Sequence, residues 1–241
     1  MINDGPDRVA SIYNNHADGN GGALVHWLGT MTLNGGDIYD NTAGGSGGAI
    51  WVDWRNFVMN GGSISNNVAA NNGGGIEQTH GYTMTINGGS IQGNTAANGG
   101  GVYNGGTFIM SAPGSTTAPT IQGNSAHWGG GVSNIITNGP ALFTMWNGNI
   151  LNNDAVANNA LTPSGGMGGG IYNSGGSVTL MQGMVQGNEA LAGSAGTNAQ
   201  KAGKGGGIYT DKFAATRIFG PWANVNTNTP NNIWDITGAV T

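Results

Sequence analysis

The sequence predicts an all-β parallel solenoid: one chain wound into about seven to eight stacked rungs, each built from three short strands. Three observations carry this expectation. A Gly-Gly-small-apolar unit recurs at Gly21 (GGAL), Gly47 (GGAI), Gly73 (GGGI), Gly99 (GGGV), Gly129 (GGGV), Gly168 (GGGI) and Gly205 (GGGI), at intervals of 26, 26, 26, 30, 39 and 37 residues. A second unit, Ile/Val-x-x-Asn, ends at Asn15, Asn41, Asn67, Asn94, Asn124, Asn153, Asn188 and Asn228. Between the two lies a short segment that alternates with period two, as in Met31-Thr32-Leu33 and Phe108-Ile109-Met110. Self-similarity at that period, in segments too short and too irregular in 3.6-residue spacing for helices, describes stacked strands.

The strand after each Gly-Gly places Leu24, Ile50, Ile76, Val102, Val132, Ile171 and Ile208 in one buried column. The alternating segment gives a second, Met31, Phe57, Met84, Phe108, Phe143 and Val178, with Thr216–Phe219 as a loose last copy. The strand before each asparagine gives a third, Ile12, Ile38, Ile64, Ile91, Ile121, Ile150, Val185 and Val225. Parallel strands need a long crossover, and winding the chain once round the coil supplies it. The glycines mark a corner that needs φ > 0 or leaves no room for Cβ. The asparagines stack at another corner, each amide bonding its copies above and below. Replacing an interior member such as Asn94 with Ala is expected to cost on the order of 1–3 kcal/mol.

Composition narrows the function. Of 241 residues, 49 are Gly and 33 Asn; only 7% are charged, yet 37% are apolar, enough for a core. The net charge is −5, and Arg8, Arg55, Lys201, Lys204, Lys212 and Arg217 are the cations, too few to track a nucleic-acid backbone. With no cysteine there is no disulfide framework, thiolate site or cysteine nucleophile. No apolar run approaches the roughly 18 residues of a membrane helix. The first ten residues lack a signal-peptide pattern.

Gly-Gly-Ala-Leu at Gly21 and Gly-Gly-Ala-Ile at Gly47 resemble the GGA[ILV] half of the polymorphic outer-membrane-protein repeat. Its companion Phe-x-x-Asn departs here to Ile64-Ser65-Asn66-Asn67 and Ile91-Gln92-Gly93-Asn94. The resemblance spans about residues 11–228. It implies a right-handed parallel β-helix of the kind found in bacterial surface adhesins and autotransporter passengers, located outside the cell or at its surface within a longer secreted chain. The expected partner is then a glycan or a host or cell-surface protein, with no nucleic acid and no membrane insertion by this segment. The same pectin-lyase-like coil also carries polysaccharide lyases and glycoside hydrolases, so fold does not choose function.

One domain, 1–241, is expected: residues 1–10 a thin N-terminal cover or excerpt end, 11–228 the repeats, and 229–241, with Trp234, a C-terminal cap. A bare solenoid end exposes core and strand edge. The alternative is that Trp234 is the outer residue of a last rung.

Binding candidates come from side chains on the outer face of the first strand. These are Trp51, Tyr103, Tyr172 and Tyr209, in a column with Val25, Glu77 and Ser133, together with Trp27 and Asp53 two positions on. Aromatic faces along a rod suit sugar rings or a protein partner; they equally suit cross-strand packing. Insertions at residues 154–167 and 189–204 leave the same corner of adjacent rungs and should lie side by side. Smaller ones sit at 111–120 and 135–141. Loops on a rigid scaffold commonly bind. For an enzyme, the candidates are Asp53, Arg55, Glu77 and His80, with calcium as a cofactor under that reading alone. Asp37 and Asp40 form a second acidic pair. His16, His26, His80 and His127 share no ligand spacing, so no metal is expected. Thr30, Thr32, Thr83, Thr85, Thr107, Thr144, Ser177 and Thr179 form an interrupted array of the type that binds ice, though threonine is also a good strand residue. A structural or adhesive surface module is the leading reading.

Overall fold

The computed structural model describes residues 10–113, 117–157, 165–192, 203–219, 223–229 and 233–235, and among them the regular elements are all strands. The first sheet runs from Leu24–His26 through Ile50–Val52, Ile76–Gln78, Val102–Asn104, Val132–Ile135, Ile171–Ser174 and Ile208–Thr210 to Ile233–Asp235. Each of these strands opens a rung, numbered here one to eight. The second sheet holds seven strands, from Thr30–Leu33 to Ala215–Ile218, and the third holds eight, from Ser11–Tyr13 to Ala223–Asn226. Each strand pairs in parallel with its copies one rung away. The coil is a right-handed parallel β-helix, the hand that twisted strands favour for parallel crossovers.

All three expected columns are present in register. Ile50 pairs with Ile76 and Ile76 with Val102; Phe108 pairs with Phe143; Ile64 pairs with Ile91. Their side chains are fully buried from Ile38 to Ile208. Each buried Ile or Phe contributes about 1.5–3 kcal/mol from the surface it removes from water. Phe108 and Phe143 also stack, with ring centroids 4.6 Å apart. Leu33, Met59, Ile86, Met110, Met145 and Leu180 make a further buried column at the end of the second-sheet strands.

Two features add to the three-strand expectation. A two-residue strand follows each asparagine in most rungs, as in Thr42–Ala43, Val68–Ala69 and Ser125–Ala126, and buries a column of alanines. The corner entering the first sheet is closed by a glycine pair with two distinct duties. Gly73 sits at φ +60°, while a Cβ on Gly74 would lie 2.5 Å from the Gly100 carbonyl oxygen and 2.6 Å from the Thr95 nitrogen.

The asparagine ladder runs unbroken from Asn15 to Asn228. At each step the backbone N–H and the side-chain Nδ2 both donate to Oδ1 of the next asparagine, as from Asn67 to Asn94 at 2.9 and 3.0 Å. The same Nδ2 reaches back to the carbonyl of the previous rung, as from Asn94 to Ile64 at 3.0 Å. A second buried ladder, absent from the sequence reading, joins Asn104 to Asn134 (2.7 Å) and Asn134 to Asn173 (2.9 Å) inside the first sheet. Its members follow the buried aliphatic by two residues, so their side chains face inward with it.

At the ends, residues 1–9 of the expected N-terminal cover lie outside the described residues. Of residues 229–241, Ile233–Asp235 pairs in parallel with Ile208–Thr210, with Trp234 in register with Tyr209. That stretch adds another strand to the first sheet.

Candidate functional site

The outer column of the first sheet is where aromatic binding residues were expected. Its register is as read: Trp51, Glu77 and Tyr103 are successive neighbours, as are Tyr172 and Tyr209. Its accessibility is not. Tyr103 and Tyr209 are buried, Trp51 and Tyr172 are half-buried, and Glu77 and Ser133 are buried between them. The reason is the tight glycine corner, which turns the chain so sharply that the residues before it lie against this face. Asn72 donates to Glu77 Oε1 at 3.1 Å. Ser133 Oγ donates to the Trp128 carbonyl at 2.7 Å. The Trp128 ring stacks on Tyr172, which stacks on Tyr209 at 5.3 Å. Burial pushes the Tyr103 hydroxyl up to about 12 and the Glu77 carboxyl up to about 7, the latter against its hydrogen bond from Asn72. Burial likewise raises Tyr172 and Tyr209. This face is a packed layer.

The exposed chemistry lies one step further along the chain, at the corner between the first and second sheets. Rung one places Trp27 and Leu28 there, rung two Asp53, Trp54 and Arg55, and rung three Thr79, His80 and Tyr82. Asp53 Oδ1 accepts from Thr79 Oγ1 at 2.7 Å and lies 3.0 Å from His80 Nδ1. With Nδ1 facing a carboxylate, the neutral ring carries its proton there, and Nε2 accepts from Asn138 Nδ2 at 3.0 Å. Thr137 Oγ1 donates to the Thr79 carbonyl at 3.0 Å. The insertion at 135–141, which leaves rung five, therefore folds back over rung four to grip rung three.

On this polar base stand the aromatic rings. Trp54 lies over His80 with centroids 4.1 Å apart and planes within 19°. Its backbone sits at φ +57°, which throws the indole outward. Arg55 donates to the Trp54 carbonyl at 2.6 Å and places its guanidinium 5.9 Å from the Tyr82 ring centroid. Trp27 meets Trp51 edge to face at 6.2 Å. Trp27, Leu28, Trp54 and Tyr82 are 62, 79, 52 and 38% exposed, so three successive rungs present large apolar side chains to solvent at this corner.

Of the four enzyme candidates, Asp53 and His80 are joined and Arg55 adjoins them, while Glu77 turns away to Asn72. Both ring nitrogens of His80 are taken by protein groups. Among the described residues no three His, Asp or Glu side chains converge as metal ligands. Trp27 is the one predicted binding residue that reaches this surface widely. Trp54 and Tyr82 were missed; aligning the repeats just past the first strand would have found Trp54, and aligning them just before the second would have found Tyr82. The roots of the two long insertions are adjacent, Asp154 pairing with Glu189 and Met167 with Lys204. Burial, then the Glu189 charge, raises the Asp154 pKa. Residues 158–164 and 193–202 lie outside the described residues.

Residues 37–53 match the family model of the Chlamydia polymorphic membrane protein repeat. That stretch of 17 residues is similar to a repeat of bacterial surface proteins. The matched polymorphic membrane protein repeat spans the third-sheet strand Asp37–Tyr39, ladder residue Asn41, the Gly47 corner, the first-sheet strand Ile50–Val52 and Asp53. It thus ends on the first residue of the polar base. Comparison with curated proteins and with solved structures gives no match. No described helix is long and apolar enough to cross a membrane.

Proposed function

We propose that this chain is an adhesive module of a bacterial surface protein and that it holds a glycan against the corner between its first and second sheets. One observation carries the reading: three successive rungs present Trp27, Trp54 and Tyr82 to solvent over a hydrogen-bonded base of Asp53, Thr79, His80 and Asn138. Aromatic faces pack on the C–H faces of pyranose rings, and their polar edges and neighbours meet the hydroxyls. Arg55 and Asn138 stand beside the rings with donor and acceptor groups suited to that task. The base fixes the rings before any ligand arrives, which lowers the entropy cost of binding. The first-sheet tyrosines Tyr103, Tyr172 and Tyr209 support the layer beneath.

The test is binding of the purified protein to an array of immobilised glycans, followed by calorimetry on the best ligand. Trp54→Ala and Tyr82→Ala should each weaken binding about tenfold, the value of a good aromatic contact. Trp146→Ala, an exposed tryptophan following the second-sheet strand Leu142–Met145, should leave it unchanged. Absence of glycan binding, or affinity that survives both corner substitutions, overturns the assignment.

A further inference from the structure

The same corner carries a second aromatic site further along the coil, and its position bears on the shape of the ligand. Ile136, Pro140 and Leu142 of rung five and Phe213 of rung seven line an open groove of about 360 Å³, with Lys212 at its side. Its floor is the bare backbone of Gly175 and Gly176, where a Cβ on Gly176 would come within 2.6 Å of the Ala141 carbonyl oxygen. Phe213 is 74% exposed, yet its backbone is pinned. Asp211 Oδ1 accepts from the N–H of Phe213 at 3.0 Å and of Gly175 at 3.1 Å, and Asp211 Oδ2 accepts from Ser174 Oγ at 2.5 Å. The Lys212 ammonium lies 4.7 Å from the Phe213 ring centroid. Like Trp54, Phe213 is an aromatic ring held out to solvent on a backbone fixed by hydrogen bonds, here beside a glycine floor rather than on a polar base.

We infer that the ligand is a linear, extended glycan lying parallel to the coil axis, gripped at two stations, one at Trp27, Trp54 and Tyr82 and the other at Ile136, Leu142 and Phe213. This rests on the glycan reading above and specifies its ligand. Stacking in register places both stations on one line, because every rung repeats the same corner. Trp54 and Phe213 are five rungs apart, about 24 Å at roughly 4.8 Å per strand step. One or two sugars cannot touch both. An extended chain of pyranoses, each advancing by close to one rung, can. The path between crosses the insertion that covers rung four. Rung four turns through Gly105 and Gly106, where a Cβ would meet the carbonyl oxygens of Thr79 and Tyr82, each at 2.7 Å. Thr137 and Asn138 lie over that turn, their side chains bonded to Thr79 and His80. They provide a polar bridge between two apolar grips.

The experiment is calorimetry with length series of chitin, cellulose and hyaluronan oligosaccharides, from disaccharide to octasaccharide. The proteins are the wild type, Trp54→Ala, Phe213→Ala and the double variant. Both side chains are exposed, and circular dichroism checks that each variant keeps its fold. For the series that binds, the octasaccharide should bind about a hundredfold more tightly than the disaccharide, the gain expected when a second contact becomes intramolecular. Phe213→Ala should remove that gain and leave the disaccharide affinity at station one unchanged. Affinity already at its maximum with the disaccharide, or octasaccharide binding unaffected by Phe213→Ala, overturns the two-station inference while the glycan reading stands on Trp54. If no series binds, or Trp54→Ala is also without effect, both fall.

Discussion

Truncating one interior rung of the asparagine ladder tests the coil at its most connected point. In Asn94→Ala the lost Oδ1 no longer accepts from the Asn67 backbone N–H (2.9 Å) or the Asn67 Nδ2 (3.0 Å). The lost Nδ2 no longer donates to the Ile64 carbonyl (3.0 Å) or to Asn124 Oδ1 (3.0 Å). Some partners are kept. The Asn94 backbone N–H still reaches Asn124 Oδ1, and Asn67 Nδ2 still reaches the carbonyls of Ile38 and Ser65. The Asn67 N–H, fully buried, loses the acceptor it has here. One orphaned buried donor together with the loss of the remaining bonds amounts to about 3 kcal/mol. For a chain of this size that corresponds to a fall of about 6–12 °C in Tm. Asn15→Ala, at the exposed end, keeps its backbone bond to Asn41 and loses only two solvent-facing bonds, so it should cost under about 1 kcal/mol. Thermal and urea unfolding followed by circular dichroism measure both. Equal, small losses for the two variants would show that the ladder follows the fold without stabilising it.

Three further outcomes follow from the same geometry. Glu77 has its pKa raised from 4.5 to about 7, chiefly by burial. The folded chain therefore holds this proton more tightly than the unfolded one, and stability should fall as pH rises from about 4.5 to 7 and then level off. At about 1.4 kcal/mol per pH unit the loss is about 3 kcal/mol, and Glu77→Gln should flatten the urea-unfolding profile across that window and stabilise the protein at pH 8. Gly74→Ala should destabilise by about 3 kcal/mol, because its Cβ strikes three backbone atoms of the neighbouring rung within 2.6 Å, whereas Gly75→Ala, with one backbone contact at 2.7 Å, should cost less. Ala49 already occupies the latter position in rung two, and comparing the two Tm values decides the point. Asn134→Ala interrupts the second ladder between Asn104 and Asn173 and should cost about 2 kcal/mol in urea unfolding; a neutral result would mean that water replaces the amide.

Much of the fold was legible because a solenoid repeats its inside. Ile64 and Ile91 must meet if 27 residues make one turn, and the same count aligned Asn67 with Asn94. The second ladder escaped notice because Asn104, Asn134 and Asn173 occupy only three rungs, among Val52, Gln78 and Thr210 at the equivalent positions. The alanine column escaped because Ala is small enough to read as a loop residue.

The candidate site was legible only in part. Alternation correctly turned Tyr103 and Tyr209 away from the core, but alternation knows two sides of a strand and nothing of what covers the outer one. Asn72 and Trp128 cover it because a left-handed glycine folds the preceding corner back, a consequence of backbone direction in three dimensions. Asp53, Arg55 and His80 were picked out as neighbours by the repeat; that His80 is locked from its far side by Asn138, 58 residues away, depends on a loop crossing a rung.

The sequence by itself determined the winding, the register and the identity of the buried columns, since all three follow from periodic spacing and the exclusion of apolar side chains from water. Only the tertiary structure decided which rings reach solvent. Exposure depends on how corners and insertions of different rungs fold over one another, and those contacts join residues that no period relates.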